Sequence, residues 1–322
     1  MDIQLHCRHI KFLAGLLALL VLGLSCQSTA PETTEVEAPK ALNFESTQIG
    51  DSLELIWAHC PADITGDGIA DLVFVDNNGY GGRLYYLQGQ TTPGIWKKKI
   101  IAAEAPRGGT FAQGDLECAD MDFDGDIDIV VAKHTGEWEA STDNSSIYWL
   151  ENPSWEPHFI GEAPDFIKDF NLVDFNKDQK MDVAVMTFET NTFSIFQQND
   201  KDTWERVQHY PSYQNLHEGM AAGDIDGDGW IDLVANAHIF YNPGKDLTQN
   251  WREENLDKKW NQQTGDWSRN GTKAFIKDLN GDGKAEIFVS HSERSGFPLS
   301  YYQRNDDNTW SETQIIDSIP AC

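Results

Sequence analysis

Cationic side chains are scarce in this sequence. Its 322 residues include 24 Lys and Arg against 52 Asp and Glu, which gives a formal net charge of -28. Binding to nucleic acid depends on a basic stripe that neutralises phosphates. The sequence has no such stripe, so we expect no nucleic-acid partner. The excess of carboxylates needs another explanation, and a metal ion is the first to consider.

Cysteine is also rare. The chain has five, namely Cys7, Cys26, Cys60, Cys118 and Cys322. The first two belong to the N-terminal segment, and the other three are an odd number without the spacing of metal ligands. The sequence therefore predicts neither a disulfide framework nor a zinc site.

The apolar run at 12–24 is too short to span a bilayer, which takes about 20 residues, but it is typical of a signal peptide and follows Arg8 and Lys11. The segment 22–26 (LGLSC) resembles a bacterial lipobox, in which the cysteine is lipidated. We therefore predict a lipoprotein signal peptide at 1–25, a lipid on Cys26 and a flexible tether at 26–41. The resemblance implies export and lipid anchoring at the bacterial outer membrane, on its periplasmic side or at the cell surface. An ordinary signal peptide cleaved nearby is the alternative.

No stretch has a sustained helical period, which argues against a parallel α/β fold. Instead, one nine-residue pattern occurs five times, with oxygen-bearing side chains at positions 1, 3, 5 and 9 and Gly at position 6 in four of the five copies. We name these segments loop 1 to loop 5. They are residues 63–71, 120–128, 174–182, 224–232 and 278–286.

The five loops are predicted to bind Ca²⁺, because a hard cation prefers oxygen ligands and alternate residues of a tight turn can all face it. Ordinary turn chemistry, in which Asp accepts hydrogen bonds from backbone N–H groups, is the alternative for any single loop. Gln179 replaces Gly at position 6 of loop 3 and must strain the turn that Gly takes freely, so we expect calcium to occupy this loop least. The predicted ligands are Asp63, Thr65, Asp67, Asp71, Asp120, Asp122, Asp124, Asp128, Asp174, Asn176, Asp178, Asp182, Asp224, Asp226, Asp228, Asp232, Asp278, Asn280, Asp282 and Glu286.

The loops are not EF-hands, because position 12 is apolar in every copy and a strand-like run, not a helix, follows each loop. Strand-like residues also precede each loop, so each loop is predicted to join the two strands of a hairpin. An aromatic segment and a strand opened by Trp complete every repeat. Four short strands in about 54 residues are typical of one β-propeller blade. We therefore predict an all-β fold, a propeller over 42–322.

This pattern resembles the FG-GAP/VCBS repeat family of calcium-loop β-propellers and covers nearly everything from residue 42 to the end. The His-Glu-Gly segment at 217–219 and the Glu-Asn-Pro segment at 151–153 further resemble the secreted bacterial branch related to aldos-2-ulose dehydratases. The first resemblance implies a propeller with bound Ca²⁺. The second implies a carbohydrate substrate and a carbon–oxygen lyase activity of the dehydratase or polysaccharide lyase type.

Five blades are visible, and two interpretations of the ring remain open. Residues 44–49 and 310–315 both resemble the Trp-led strand, so the chain offers this strand at both ends. Either the protein is a five-bladed ring with a redundant terminal strand, or the sequence is a fragment of a longer propeller with seven blades. We favour the fragment, because an open propeller leaves unpaired edges that proteins avoid.

The hairpin geometry gathers the ends of the strands away from the loops on one face, and His, Arg and acidic residues occupy those ends. In the enzyme interpretation, His217 is the base of a β-elimination, His134 and His238 are acid or orienting groups, and Arg107 and Arg269 hold an anion. In the binding interpretation, the same face of a monomer holds a carbohydrate or a surface protein without turnover. A structural adhesin that uses calcium only for rigidity is a third interpretation.

Overall fold

The computed structural model describes residues 45–77, 82–112, 114–134, 144–164, 166–187, 190, 192–210, 219–235, 237–256, 272–291 and 296–319. Residues 47–322 form one compact unit, and 1–46 form another. Of that other unit the structure describes only Glu45 and Ser46, so the predicted signal peptide, Cys26 and nearly all of the tether lie outside the described residues. No helix long and apolar enough to cross a membrane occurs in the part of the chain that the structure describes.

All regular structure in the described residues is β-strand, as alternating apolar runs separated by Gly- and Asp-rich turns predict. The described residues form 21 strands. In chain order they are β1 His59–Ala62, β2 Asp71–Asn77, β3 Gly82–Gln88, β4 Lys97–Ala102, β5 Thr110–Phe111, β6 Glu117–Ala119, β7 Asp128–His134, β8 Ser145–Glu151, β9 Glu156–Ala163, β10 Ile167–Val173, β11 Asp182–Thr187, β12 Phe193–Asp200, β13 Thr203–Tyr210, β14 Met220–Gly223, β15 Asp232–Ala235, β16 His238–Tyr241, β17 Arg252–Asn255, β18 Thr272–Lys277, β19 Glu286–His291, β20 Phe297–Arg304 and β21 Trp310–Ile319.

The strands form five antiparallel blades. Blade 1 is β1 to β4, blade 2 is β5 to β9 with β5 and β6 sharing the inner position, and blades 3 to 5 are β10–β13, β14–β17 and β18–β21. The inner strands β1, β6, β10, β14 and β18 contact one another in that order. Blades 1 and 2 are also joined into one nine-stranded sheet, because Gly82 of β3 pairs with Phe111 of β5. The predicted all-β propeller with five visible blades is confirmed.

The register of every first hairpin is the same. In each blade, the residue directly before loop position 1 pairs with the residue at position 9, for example Ala62 with Asp71 and Ala119 with Asp128. The equivalent pairs in blades 3, 4 and 5 are Val173–Asp182, Gly223–Asp232 and Lys277–Glu286. Position 9 is therefore the first residue of the second strand, and the nine-residue pattern spans one turn from strand to strand.

The hydrophobic core lies between neighbouring blades. In loops 1 to 4 the apolar residue at position 2 is buried with at most 5% exposure, and these residues are Ile64, Met121, Phe175 and Ile225. In loop 5 the equivalent Leu279 is 63% exposed, and Phe275 on the inner strand of blade 5 is 58% exposed. The face of blade 5 that corresponds to the covered faces of the other blades is therefore open to solvent.

The two terminal segments that resemble each other have different structures. Residues 45–49 form no strand, whereas Trp310–Ile319 is the long outer strand of blade 5 and pairs with β20. The similarity predicted a strand at both ends, and for the described residues of the N-terminal segment this prediction is wrong. Its only described backbone hydrogen bond runs from Trp96 N to Ile49 O at 2.7 Å, which places it beside the start of β4.

Candidate functional site

The backbone of each loop wraps around the carboxylate at position 1. In loop 1, Asp63 accepts hydrogen bonds from the N–H groups of Asp67 and Gly68, at 3.1 and 2.7 Å. Asp120, Asp174, Asp224 and Asp278 accept the equivalent bond from position 6 at 2.8–3.1 Å. This is the turn chemistry that the sequence analysis kept as an alternative, and these hydrogen bonds hold the backbone of each loop in its turn.

Position 6 requires a left-handed backbone in all five loops. The four glycines there have φ between 84° and 102°, and Gln179 has φ 68°. This bears out the expectation that Gln179 is strained in loop 3. Position 4 is left-handed as well, with φ 60° at Phe123 and 59° at Lys177, and the other three loops have Gly there. Sequence reasoning missed this second position, although the three glycines indicate it.

The acidic residue at position 9 ties its loop to the third strand of the same blade. One Asp128 oxygen accepts from Met121 N at 2.8 Å and the other accepts from Asn152 N at 2.8 Å. The side chain is 1% exposed. Asp71, Asp182 and Asp232 bond in the same way to the end of the third strand. Position 9 therefore has a structural role that does not depend on a metal ion.

Several loop carboxyl groups have raised pKa values, which means that their ionised forms are disfavoured. Burial, with repulsion from loop neighbours, raises the pKa of Asp128 to about 6 and those of Asp182 and Asp232 to about 7. Burial and Asp228 raise the pKa of Asp226. A divalent cation would remove this repulsion, so the donor set fits calcium chemically.

Loops 2 and 4 bring three carboxylate oxygens within 4.8 Å of one another. These are Asp120, Asp122 and Asp128 in loop 2, and Asp224, Asp226 and Asp232 in loop 4. At loop 2 a lysine of the protein is also present, because Lys201 Nζ lies 3.0 Å from Asp122 and 2.8 Å from Glu151. Lys201 belongs to the turn between β12 and β13, so it links blade 3 to the loop of blade 2. No pattern in the amino-acid sequence indicates this contact.

The face opposite the loops was predicted to bring histidines and arginines together. In the structure, the described members of this set each contact different residues. His134 ends β7, is 1% exposed, and stacks on Phe166 with ring centroids 3.5 Å apart. His238 begins β16, and its Nδ1 lies 2.8 Å from Glu253 Oε1. Arg107 is exposed and lies over the Phe159 ring at 5.9 Å. Strand direction places His134 and His238 at blade ends away from the loops, as predicted. His217 and Arg269 lie outside the described residues.

A group of carboxylates instead lies on or directly before the inner strands of blades 2 and 3. Asp115 accepts a hydrogen bond from Phe170 N at 2.7 Å, and Asp169 accepts one from Gly219 N at 2.9 Å, so each joins its blade to the next. Burial, reinforced by Asp169 and Glu117, raises the pKa of Asp115, and burial raises the pKa of Glu117 to about 7. Sequence reasoning missed both aspartates. Each lies five residues before its loop, and this shared spacing was the available signal.

A groove of about 560 Å³ lies between blades 2 and 3. It is lined by Asn144, Glu162, Pro164, Phe196, Arg206 and His209. Gly161 allows Phe196 to pack closely against β9, since a Cβ on this glycine would lie 2.4 Å from the Phe196 ring. We name this cavity the inter-blade groove.

Polar groups inside the inter-blade groove are held by neighbours. Asn144 donates to Glu162 at 3.2 Å, and His209 Nδ1 lies 3.0 Å from the Ser194 hydroxyl, which is itself buried. Burial, with repulsion from Arg206, lowers the pKa of His209, so its imidazole is neutral at neutral pH. The groove thus combines an aromatic ring, an amide, a carboxylate, a guanidinium and a neutral imidazole.

Five antiparallel blades, four of them four-stranded and blade 2 with an inner position divided between β5 and β6, have an acidic turn in each first hairpin and define a β-propeller of the repeat type. The model of the FG-GAP-like repeat matches residues 63–131, 120–185 and 174–235, which together span more than half of the chain. The chain therefore belongs to the FG-GAP-like repeat family, and the predicted resemblance is confirmed. No curated protein matches the sequence.

The solved structures that this chain is similar to have low sequence identity to it. A protein from Lactobacillus plantarum has 12% identity and a TM-score of 0.54, with 84% of this chain and 73% of that chain covered. The V. cholerae biofilm matrix protein Bap1 has 15% identity and a TM-score of 0.48, with 83% and 41% covered. Rhamnogalacturonan lyase YesW has 11% identity and a TM-score of 0.46, with 82% and 52% covered. At 12% identity, the similarity to the Lactobacillus plantarum protein supports the fold alone.

Proposed function

We propose that this protein is an exported, calcium-stabilised β-propeller that binds acidic carbohydrate in the inter-blade groove. The observation that supports the binding proposal most is the chemistry of the groove. Phe196, which is 4% exposed, gives the groove a small apolar wall, and the amide and carboxylate of Asn144 and Glu162 suit the hydroxyl groups of a sugar. The Arg206 guanidinium suits a sugar carboxylate, since it pairs with planar anions.

Calcium is the proposed structural ion of the five loops. Bound there, Ca²⁺ would supply positive charge that offsets the loop carboxylates, among them Asp120, Asp122 and Asp124. The raised pKa values of Asp128 and Asp232 support this proposal. Burial and the neighbouring loop carboxylates disfavour the ionised forms of these groups, and a bound cation would favour them. The proposed role is to fix the hairpin turns.

Export with a lipid on Cys26 completes the proposal, and it depends on the N-terminal sequence alone. The test is metabolic labelling with a radioactive fatty acid, followed by fractionation of the membranes. We expect label in the wild-type protein at the outer membrane and none in Cys26→Ser. A Cys26→Ser variant that is labelled as strongly as wild type would remove the lipid anchor from the proposal.

The carbohydrate proposal is tested by calorimetry of the calcium-saturated protein with oligosaccharides that contain uronic acids. We expect Arg206→Ala and His209→Ala each to weaken binding by about tenfold or more. Glu205→Ala is the matched control, because Glu205 is an exposed neighbour on β13 whose side chain points to the other face of the strand. Binding that is unchanged in Arg206→Ala, or no binding of any acidic saccharide, would overturn the proposal.

A second candidate function, β-elimination from an acidic sugar, is favoured by His209. Its imidazole is neutral at neutral pH and lies in the same groove as Arg206, so it can take the proton from the carbon next to a carboxylate that the arginine holds. The C–O bond at the adjacent carbon then breaks as a C=C bond forms, and water protonates the leaving oxygen. New ultraviolet absorbance from unsaturated products, lost in His209→Ala while the substrate still binds, would support this function. Binding without any absorbance change would leave a binding protein only.

A further inference from the structure

A second cavity lies on the loop side of blades 2 and 3. It has a volume of about 330 Å³, at the lower end of the range for small-ligand sites. Loop 2, loop 3 and the turn between β12 and β13 form its walls, and it shares no lining residue with the inter-blade groove. We name it the loop cleft.

Phe123, in the wall of the loop cleft, has a backbone conformation that lowers the stability of the folded protein. It occupies position 4 of loop 2 with φ 60°, where three of the other loops have Gly, and its side chain is 49% exposed. A bulky residue in the left-handed region is strained, and an exposed aromatic ring contributes little to a core. Loops 1, 4 and 5 make the same turn without this ring, so the fold does not require it.

Gln198 is the second unusual residue of the loop cleft. It is 2% exposed, and its Oε1 has no hydrogen-bond partner within the described residues. Its backbone N–H is used, because it donates to Asp182 at 3.0 Å. A buried acceptor without a partner is costly, and a hydroxyl group of a ligand in the cleft would satisfy it.

Charges in the loop cleft are balanced. Its lining contains two lysines, Lys180 and Lys201, and two aspartates, Asp122 and Asp200, and Lys201 is already paired with Asp122 at 3.0 Å. The cleft therefore offers hydrogen-bond donors and acceptors but no net charge that would favour an ion. The inter-blade groove likewise has one cation, Arg206, and one carboxylate, Glu162, but there the carboxylate accepts a hydrogen bond from Asn144.

We propose that the loop cleft binds one neutral pyranose ring, with a sugar face stacked on Phe123 and a hydroxyl group donated to Gln198 Oε1. The ring size suits the cavity volume, the stacking explains the exposed aromatic residue, and the hydroxyl explains the buried acceptor. This site goes beyond the proposed groove function, because the two cavities have different linings and each can bind without the other.

Two substitutions test the site, and neither is expected to destabilise the protein. Phe123→Gly removes a strained residue, and Gln198→Leu removes an unpaired buried acceptor at similar volume. The probe is a panel of methyl pyranosides of glucose, galactose and mannose, measured by saturation-transfer NMR and calorimetry on the calcium-saturated full chain. We expect wild type to bind at least one of them and each variant to bind it about tenfold more weakly or worse. Both variants should melt at or above the wild-type temperature.

Controls separate this site from the inter-blade groove. Phe159→Ala removes another exposed phenylalanine of blade 2, 41% exposed, and should leave pyranoside binding unchanged. Arg206→Ala should also leave it unchanged while weakening acidic saccharides. If no methyl pyranoside binds, or if Phe123→Gly binds as well as wild type, the loop-cleft proposal is overturned and the groove proposal is unaffected.

Discussion

Asn152 of blade 2 donates its side-chain amide to the carbonyl oxygen of Ile64 in loop 1 of blade 1, at 2.9 Å. The same amide donates to Ile127 O at 3.0 Å, within its own blade. In blade 4, Asn242 repeats both contacts, to Phe175 O of blade 3 at 2.9 Å and to Ile231 O at 3.0 Å. One asparagine side chain thus joins the loops of two adjacent blades.

Substitution of Asn152 should therefore lower the stability of the protein, because its side chain makes hydrogen bonds in two blades. Asn152→Ala leaves two backbone carbonyls without their donor in a buried position, and we expect a loss of about 2 kcal/mol in the free energy of unfolding. Asn152→Asp should lose more, because a carboxylate cannot donate and would face those same carbonyls. Urea denaturation measures both. Asn305→Ala is the control, since Asn305 bonds only within one turn of blade 5, and a loss as large as that of Asn152→Ala would contradict the proposed link between blades.

Calcium removal should lower the melting temperature of the propeller. A ligand that binds only the folded state stabilises it by about 2.7 kcal/mol at a concentration 100 times its Kd. We therefore expect chelation to lower the transition measured by scanning calorimetry, and calcium to restore it. Asp124→Asn should reduce the calcium-dependent shift, whereas Asp126→Asn, at exposed position 7 of the same loop, should not. A chelated protein that melts as late as the calcium-loaded one would count against the whole calcium proposal.

Gln179→Gly should stabilise the protein by about 1 kcal/mol, because glycine adopts φ 68° without the steric cost that glutamine has there. The backbone bond from residue 179 to Asp174 is retained, since it uses the main-chain N–H. The reverse change at the equivalent position, Gly229→Ala, should destabilise by a similar amount. Chemical denaturation in the presence of a chelator measures both without any contribution from metal. Equal stability of the Gln179→Gly and wild-type proteins would show that loop 3 tolerates glutamine without strain.

Stability should fall as pH rises from about 4.5 to about 7, through the contribution of Glu117. Burial raises its pKa in the folded protein to about 7 from a usual value of 4.5, so the unfolded chain releases this proton first. The stabilising effect of the protonated form is present below pH 4.5 and is lost as pH passes the folded pKa. Because the side chain is partly exposed, we expect a loss of about 2 kcal/mol.

Glu117→Gln isolates this contribution. The variant should be more stable than wild type at pH 8 and nearly equal to it at pH 4, because glutamine has no charge to desolvate. Unfolding by guanidinium chloride at the two pH values provides the measurement. Glu156→Gln, an exposed position on the outer strand of the same blade, should show no such pH dependence. A Glu117→Gln effect of the same size at both pH values would rule out titration as its cause.

The sequence by itself determined the fold class and the five loops. The oxygen pattern occurs at fixed spacing within nine contiguous residues, and strand-forming runs flank it, so local chemistry was sufficient to predict hairpins and blades. Gln179 was recognised as strained for the same reason, since the φ requirement of a turn is local. The amide of Asn152 was not assigned a role, because its partner at Ile64 is 88 residues away.

Only the tertiary structure decided which residues meet between blades. It placed His134 against Phe166, Lys201 beside Asp122 of loop 2, and Arg206 with His209 and Glu162 in the lining of one groove. Each of these contacts joins segments that are distant in sequence, and their geometry depends on how one twisted sheet packs on the next. Residue patterns within a repeat contain no information on that packing, so the sequence could predict the turns and strands of each blade but not the cavities between blades.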